Sequence, residues 1–200
     1  MIDVVYKTKL EINQALKERY PWGHETIWKK RSKTFGAILT GLSKGELASI
    51  IDLGGGMGHL YHEIKLKSFE YISIDTEEWT SATVKANFNK DEFPDITPKF
   101  QSIIACQGLV EYMERPKKFL KEIHKYGDPL VISYRVGTPH PNRKNFYTFK
   151  EFEGRLIKAG WLCVAEWTIG YKKKEALEKI YLCVDLGRKD IYVRYNENKN

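Results

Sequence analysis

The stretch Ile50–Leu60, IIDLGGGMGHL, decides the reading of this chain. An apolar run, Ile50, Ile51 and Leu53, carries one acid, Asp52, and stops at the glycine cluster Gly54, Gly55, Gly56 and Gly58. Met57–Lys67 then reads as a helix. Strand, glycine turn and helix form a cradle for a nucleotide-like ligand. Glycine admits positive φ and lets a ligand approach the main chain, and a helix start adds unpaired N–H donors with partial positive charge. A second acid lies at a fitting distance. Glu70–Asp75, EYISID, reads as a buried strand ending in Asp75, seventeen residues after Gly58. An acid about twenty residues beyond such a turn can accept hydrogen bonds from two ribose hydroxyls.

The 200 residues suffice for one α/β domain with a real core. Hydrophobic content of 42% and charged content of 30% are ordinary for a soluble protein. Residues 1–14 hold no long apolar run, so no secretory signal is expected, and no stretch approaches the roughly 20 apolar residues of a membrane span. Cys106, Cys163 and Cys183 sit in apolar, strand-like runs without metal-site spacing. They read as reduced core thiols of a cytoplasmic protein, and no metal is expected. The net charge of +7 permits nucleic-acid or anionic partners. The lysines are scattered rather than blocked, which favours a solvated surface over a nucleic-acid groove.

Upstream of the glycine turn, Thr8–Arg19 and Glu25–Leu42 read as helices around an aromatic breaker, Tyr20–His24. Downstream, Ala48–Leu53, Glu70–Asp75, a short segment near Val84–Phe88, Phe100–Cys106, Pro129–Tyr134, Trp161–Ile169 and Lys179–Leu186 read as strands. Helices are expected over Trp79–Ala86, from Leu109, from Pro116 to Gly127, and from the N-cap Thr148, with Glu151 as its capping-box partner, to Ala159. Arg135–Asn145 reads as a loop, and Ile191–Tyr195 in the polar tail as an optional edge strand. The alternation implies a Rossmann-like, seven-stranded, mostly parallel sheet with helices on both faces. The last two strands lack an intervening helix, so the last strand should be antiparallel. Residues 1–47 form the cap, 48–187 the main domain and 188–200 a basic tail.

At this point the chain resembles the class I S-adenosylmethionine-dependent methyltransferases, over roughly 70% of its length, Ala48–Leu186. The resemblance is carried by IIDLGGGMG, YISID, FQSIIACQGLVEYM, PLVISYR, TFKEFEGRLIKAGW and the closing strand pair, in the family's order and spacing. It implies S-adenosyl-L-methionine as cofactor. Asp52 and the turn Gly54, Gly55, Gly56 and Gly58 would hold its methionine part, Asp75 its ribose, and Thr76 would flank the adenine. Asp91 is the candidate for the adenine amine and Gln107 for the amino-acid end and methyl group. Leu109, Glu111 and Tyr112 match the family's common start of the next helix. The residues agree independently: position 59 is His, where a dinucleotide fingerprint G-x-G-x-x-G requires Gly, and Asp52 within the strand suits a cationic ligand.

Methyl transfer from a sulfonium chiefly requires alignment and exclusion of water. If a base is used, His140, in the loop after the fifth strand, is the first candidate and His24 the second. Arg135, with Arg143 and Lys144, offers a contact for an anionic acceptor. The expected activity is O- or N-methylation of a small anionic, sugar-linked or nucleotide-linked metabolite. The alternatives are an RNA or protein methyltransferase, for which the N-P-P-Y-type motif is missing at ACQGL, and a non-catalytic binding protein.

Overall fold

The computed structural model describes residues 25–44, 46–137, 142–170 and 176–188. The expected helix Thr8–Arg19, the breaker with His24, His140 and the tail with Ile191–Tyr195 lie outside the described residues.

Seven strands form one sheet: β1 (Ser49–Leu53), β2 (Glu70–Asp75), β3 (Thr83–Lys85), β4 (Ser102–Cys106), β5 (Leu130–Gly137), β6 (Trp161–Gly170) and β7 (Ala176–Asp185). Their spatial order is β3-β2-β1-β4-β5-β7-β6. The first five are parallel, and β7 runs antiparallel to both β5 and β6. The central strands SIIDL and SIIAC are buried along their whole length, as expected for strands covered on both faces. Successive residues point to opposite faces. Ile50, Ile103, Ala105 and Val131 therefore join one core with Phe35, Leu39 and Leu60. Ile51, Ile104, Leu130 and Ile132 join the other with Phe119, Phe152 and Trp161. Helices α1 (Glu25–Leu42) and α2 (His59–Glu63) cover the first face, and α3 (Pro116–Glu122) and α4 (Phe149–Lys158) the second. The direction of build-up reverses between β1 and β4, the switch point where open α/β sheets bind ligands at the strands' carboxyl ends.

Several expected elements take another form. The helix Met57–Lys67 shrinks to α2, five residues between the left-handed Gly58 and the extended Ile64. Beyond it Lys65 N donates to Thr40 Oγ1 of α1 instead of extending the helix. The Trp79–Ala86 helix does not form. Thr80 N donates to Thr83 Oγ1, Ala82 N to Thr80 Oγ1, and the two hydroxyls meet at 3.1 Å, so this segment turns directly into β3. Hydroxyl side chains compete with the helical ladder in this way. The segment from Leu109 makes a single 3-10 turn, Val110–Tyr112. Strand β5 runs to Gly137, so Arg135 lies in the sheet opposite Glu178 rather than in the expected loop. Cys163 is only half-buried, unlike Cys106 and Cys183.

The capping box forms as read. Glu151 N donates to Thr148 Oγ1 at 3.2 Å, and Thr148 N donates to Glu151 Oε2 at 2.8 Å. Thr148→Ala should cost about 1 kcal/mol of stability, measured by urea unfolding, because Glu151 N loses its acceptor and Glu151 Oε2 loses the hydroxyl that donates to it. Among the described residues, no helix is long and apolar enough to cross a membrane. No group of three or more His, Cys, Asp or Glu that could hold a metal ion occurs among them either.

Candidate cofactor site

The glycine turn follows β1 with Gly54, Gly56 and Gly58 at φ of 71°, 53° and 73°, a conformation that side chains disfavour. Gly54 N donates to Ile74 O at 2.8 Å, tying the turn to β2. Gly55 has no room for a side chain: a Cβ there would lie 2.4 Å from Ser73 Oγ and 3.0 Å from Asp52 Oδ2. A Cβ at Gly56 would meet nothing within 4 Å, so the turn is open on that side.

Asp75, at the end of β2, accepts from Gly56 N at 3.0 Å through Oδ2. Its Oδ1 accepts from Thr76 Oγ1 at 3.2 Å. The half-buried carboxylate thus locks the turn and stands at its open side, with the exposed Thr76 beside it.

Asp52 is fully buried under the turn. Its Oδ2 accepts from Tyr71 Oη at 2.6 Å, while Oδ1 has no partner at hydrogen-bonding geometry. Burial pushes its pKa up to about 7; the Tyr71 hydroxyl pulls it down, the Asp75 charge raises it, and the Gln107 amide lowers it. Ser73 Oγ, next to it, is also buried without a partner. A buried acid with one orphaned oxygen calls for a cationic donor. A sulfonium-bearing amino acid, with its ammonium group, meets that need, and the open glycine turn and Asp75 meet the needs of its nucleoside. The residues present fit S-adenosylmethionine.

Gln107, at the end of β4, joins this centre to α1. Its Oε1 accepts from Ser32 Oγ at 3.0 Å and its carbonyl from Arg31 Nη1 at 3.4 Å. Arg31 is buried and its guanidinium pairs with Glu178 of β7, with Nη2 to Oε2 at 3.0 Å and Nε to Oε1. Gly108, at φ 61°, lies directly against that guanidinium, which a Cβ would approach to 2.6 Å. Glu111 is buried behind the same segment and its Oε1 accepts from Arg135 N at 3.0 Å. Burial raises its pKa, with the Arg31 charge opposing and the Glu178 charge reinforcing. Three buried carboxylates, Asp52, Glu111 and Glu178, therefore surround the end of β4 with Arg31 among them.

The structure brings together Asp52, Gly54, Gly55, Gly56, Gly58, Asp75, Thr76 and Gln107. It draws Asp91 elsewhere: its carboxylate pairs with Arg115 Nη2 at 2.5 Å and Lys118 Nζ at 3.0 Å, at the start of α3. These partners lower its pKa, Lys118 foremost. Two residues past β3 stands Asn87, whose Oδ1 accepts from Asn89 N. Arg143 and Lys144, two of the basic residues read as a contact for an anionic acceptor, already have protein partners. Arg143 is buried, donates through Nη2 to Arg135 O, and lies 5.3 Å from the Phe146 ring centre. Lys144 reaches towards Glu114 at 3.9 Å. His124 stacks on Trp161 at 3.8 Å and contacts Ala159 O.

Tyr71, Ser73, Arg31, Ser32 and Glu178 stand at the site without being among the residues expected there from the sequence. The register Ile50↔Tyr71 and Asp52↔Ser73 puts the first two on the face of Asp52, a relation that two adjacent parallel strands could have suggested. Nothing in the sequence links Arg31 to Glu178 across 147 residues.

Strand order, the site at the switch point and the closing antiparallel pair define the fold of the class I S-adenosylmethionine-dependent methyltransferases. Solved structures agree. A S-adenosylmethionine-dependent methyltransferase from Clostridium acetobutylicum ATCC 824 matches at a TM-score of 0.59 and 11% identity, over 88% of this chain and 98% of that one. The 1,6-didemethyltoxoflavin-N1-methyltransferase of Burkholderia thailandensis, with bound 1,6-didemethyltoxoflavin and S-adenosylhomocysteine, matches at 0.59 and 13%, over 92% and 93%. The magnesium protoporphyrin IX methyltransferase of Synechocystis PCC 6803, with bound SAH, matches at 0.60 and 11%, over 77% and 82%. At such identities the likeness is one of fold. No protein-family profile and no curated protein matches the chain.

Proposed function

We propose that the protein is an S-adenosylmethionine-dependent methyltransferase of a small-molecule acceptor. The observation that carries this reading is Asp52, buried with an orphaned oxygen beneath a glycine turn that Asp75 ties in place. When bound, the cofactor would supply a sulfonium methyl group for in-line transfer to the acceptor, with the thioether as leaving group. The chain's part is to bind and align. Asp75 would accept hydrogen bonds from the ribose diol, with Thr76 beside the adenine. Asp52 and the turn Gly54, Gly55, Gly56 and Gly58 would hold the amino-acid end, with Gln107 between that end and the acceptor. Such positioning supplies roughly 7–11 kcal/mol of barrier reduction where the geometry is a near-attack one.

The acceptor side is proposed to lie between α1 and the ends of β4 and β5. Ser32 and Arg31 of α1 already contact Gln107 there. Arg135 is proposed as the contact for an acidic group of the acceptor, and His140 or His24 as the base when the acceptor is a hydroxyl. The burial of Arg31 and Arg143 leaves fewer arginines for a nucleic-acid face, which favours a small acidic metabolite over RNA. The proposed compartment is the cytoplasm.

Incubation with methyl-tritiated S-adenosylmethionine and a pool of sugar phosphates, nucleotides and carboxylic acids tests this. Label moving into a small acidic product, with equimolar S-adenosylhomocysteine, is the expected result. Label confined to added RNA or protein would overturn the choice of acceptor.

A further inference from the structure

The three cysteines of the chain differ in setting. Cys106 ends β4 and is fully buried. Cys163 of β6 and Cys183 of β7 are direct partners across an antiparallel ladder. Their sulfurs lie 3.3 Å apart, and both are free thiols. A disulfide needs about 2.05 Å between sulfurs and about 3.5–4.5 Å between Cβ atoms, which directly opposed residues of antiparallel strands reach at the short end of their range of about 4.5–5.5 Å. The ladder shifts register between Cys163 and Ala165, and such a bulge lets the backbone adjust beside Cys163. Cys106 is excluded from the pairing. It aligns with Ile132 of β5, which aligns with Tyr181 of β7. Two strand spacings, about 9.5 Å, therefore separate it from the strand of Cys183.

We propose that Cys163 and Cys183 form a redox site that closes to a cross-strand disulfide when a small-molecule disulfide accepts the two electrons. The two thiols have distinct roles. Cys163 is half-buried, so a reagent reaches it, whereas Cys183 is buried. The hydrogen bond from Cys183 lowers the Cys163 pKa against the opposing effects of burial, Glu153 and Glu166, while burial pushes that of Cys183 up. Cys163, having lost its proton to solvent, attacks one sulfur of the reagent. The reagent's S–S bond breaks, its other half leaves as a thiolate, and a mixed disulfide forms on Cys163. Cys183 then loses its proton and attacks the Cys163 sulfur, expelling the second half as a thiolate. The reagent takes two electrons and ends as two thiols, and the protein ends with one S–S bond. This inference is independent of the cofactor.

The test is treatment of the folded full-length protein with bis(2-hydroxyethyl) disulfide, followed by intact mass and non-reducing peptide mapping. The wild type should lose about 2 Da, yield one linked peptide pair containing Cys163 and Cys183, and melt about 5–10 °C higher than the reduced form. Cys183→Ser should stop at the mixed disulfide on Cys163. Cys163→Ser should remain unmodified at the buried Cys183. Melting curves of both variants establish that they are folded. A folded wild type that keeps three free thiols, that stops at the mixed disulfide, or that links Cys106 or a second molecule overturns the proposal.

Discussion

Asp75→Ala should weaken S-adenosylhomocysteine binding by about 10²–10³-fold while leaving the protein folded. The carboxylate ends β2 at the open side of the glycine turn, where a ribose diol would place two hydroxyl donors. Hydrogen bonds to a charged acceptor contribute about 1.5–3 kcal/mol each. Two of them, reduced by the water that replaces the carboxylate in the variant, correspond to about 3–4 kcal/mol, or 10²–10³ in affinity. Removal also frees Gly56 N and Thr76, which Asp75 now holds, so part of the loss is a less ordered turn. The cost in stability should stay near 1–2 kcal/mol, because the group is only half-buried and water can take over its partners. Calorimetric titration of both proteins, with melting curves alongside, measures the two effects separately. An affinity changed less than threefold would remove Asp75 from the site.

The second large effect has opposite signs for folding and for binding. Asp52→Asn should make the protein more stable at pH 8 by about 2–4 kcal/mol and bind S-adenosylhomocysteine about 10- to 100-fold more weakly. The pKa of Asp52 is raised by burial from 3.8 to about 7. Between those values the folded state keeps a proton that the unfolded chain releases, so wild-type stability falls as pH rises through this window. The full cost is present above about pH 7 and absent below about pH 4. Three pKa units correspond to about 4 kcal/mol, and the lower bound allows for an amide that must find partners of its own. The Asn variant does not titrate, so the stability difference should grow from pH 4 to 7 and then level off. Binding shows the converse. A ligand ammonium favours ionised Asp52, so wild-type affinity should rise with pH up to about 7 and binding below it should release a proton. The variant should show neither. Urea unfolding at pH 5 and pH 8 checks the first half; a variant less stable than wild type at pH 8 would contradict it.

The sequence makes the central strands legible because IIDL and SIIAC are apolar on both faces, and no surface helix has that pattern. Asp52, the glycines, Asp75 and Gln107 are legible for a related reason. Each stands at the carboxyl end of such a strand, where chain direction and topology leave little freedom. What was not legible depends on register or on distant contacts. Arg31 and Glu178 meet only because α1 and β7 flank β5. Asp91 is taken up by Arg115 and Lys118, which follow a whole strand later. The helix expected over Trp79–Ala86 was lost to the hydroxyls of Thr80 and Thr83, a local competition that apolar spacing does not register. Arg135 moved from loop to sheet because β7 extends the ladder of β5 past Tyr134.

The measurement that tests the central claim most directly is calorimetric titration of the wild-type protein with S-adenosylhomocysteine at pH 8. One site with a dissociation constant on the order of micromolar is expected, a binding free energy of about −8 kcal/mol. Absence of binding at roughly millimolar ligand, in a protein that melts cooperatively, would contradict the cofactor site and with it the proposed activity.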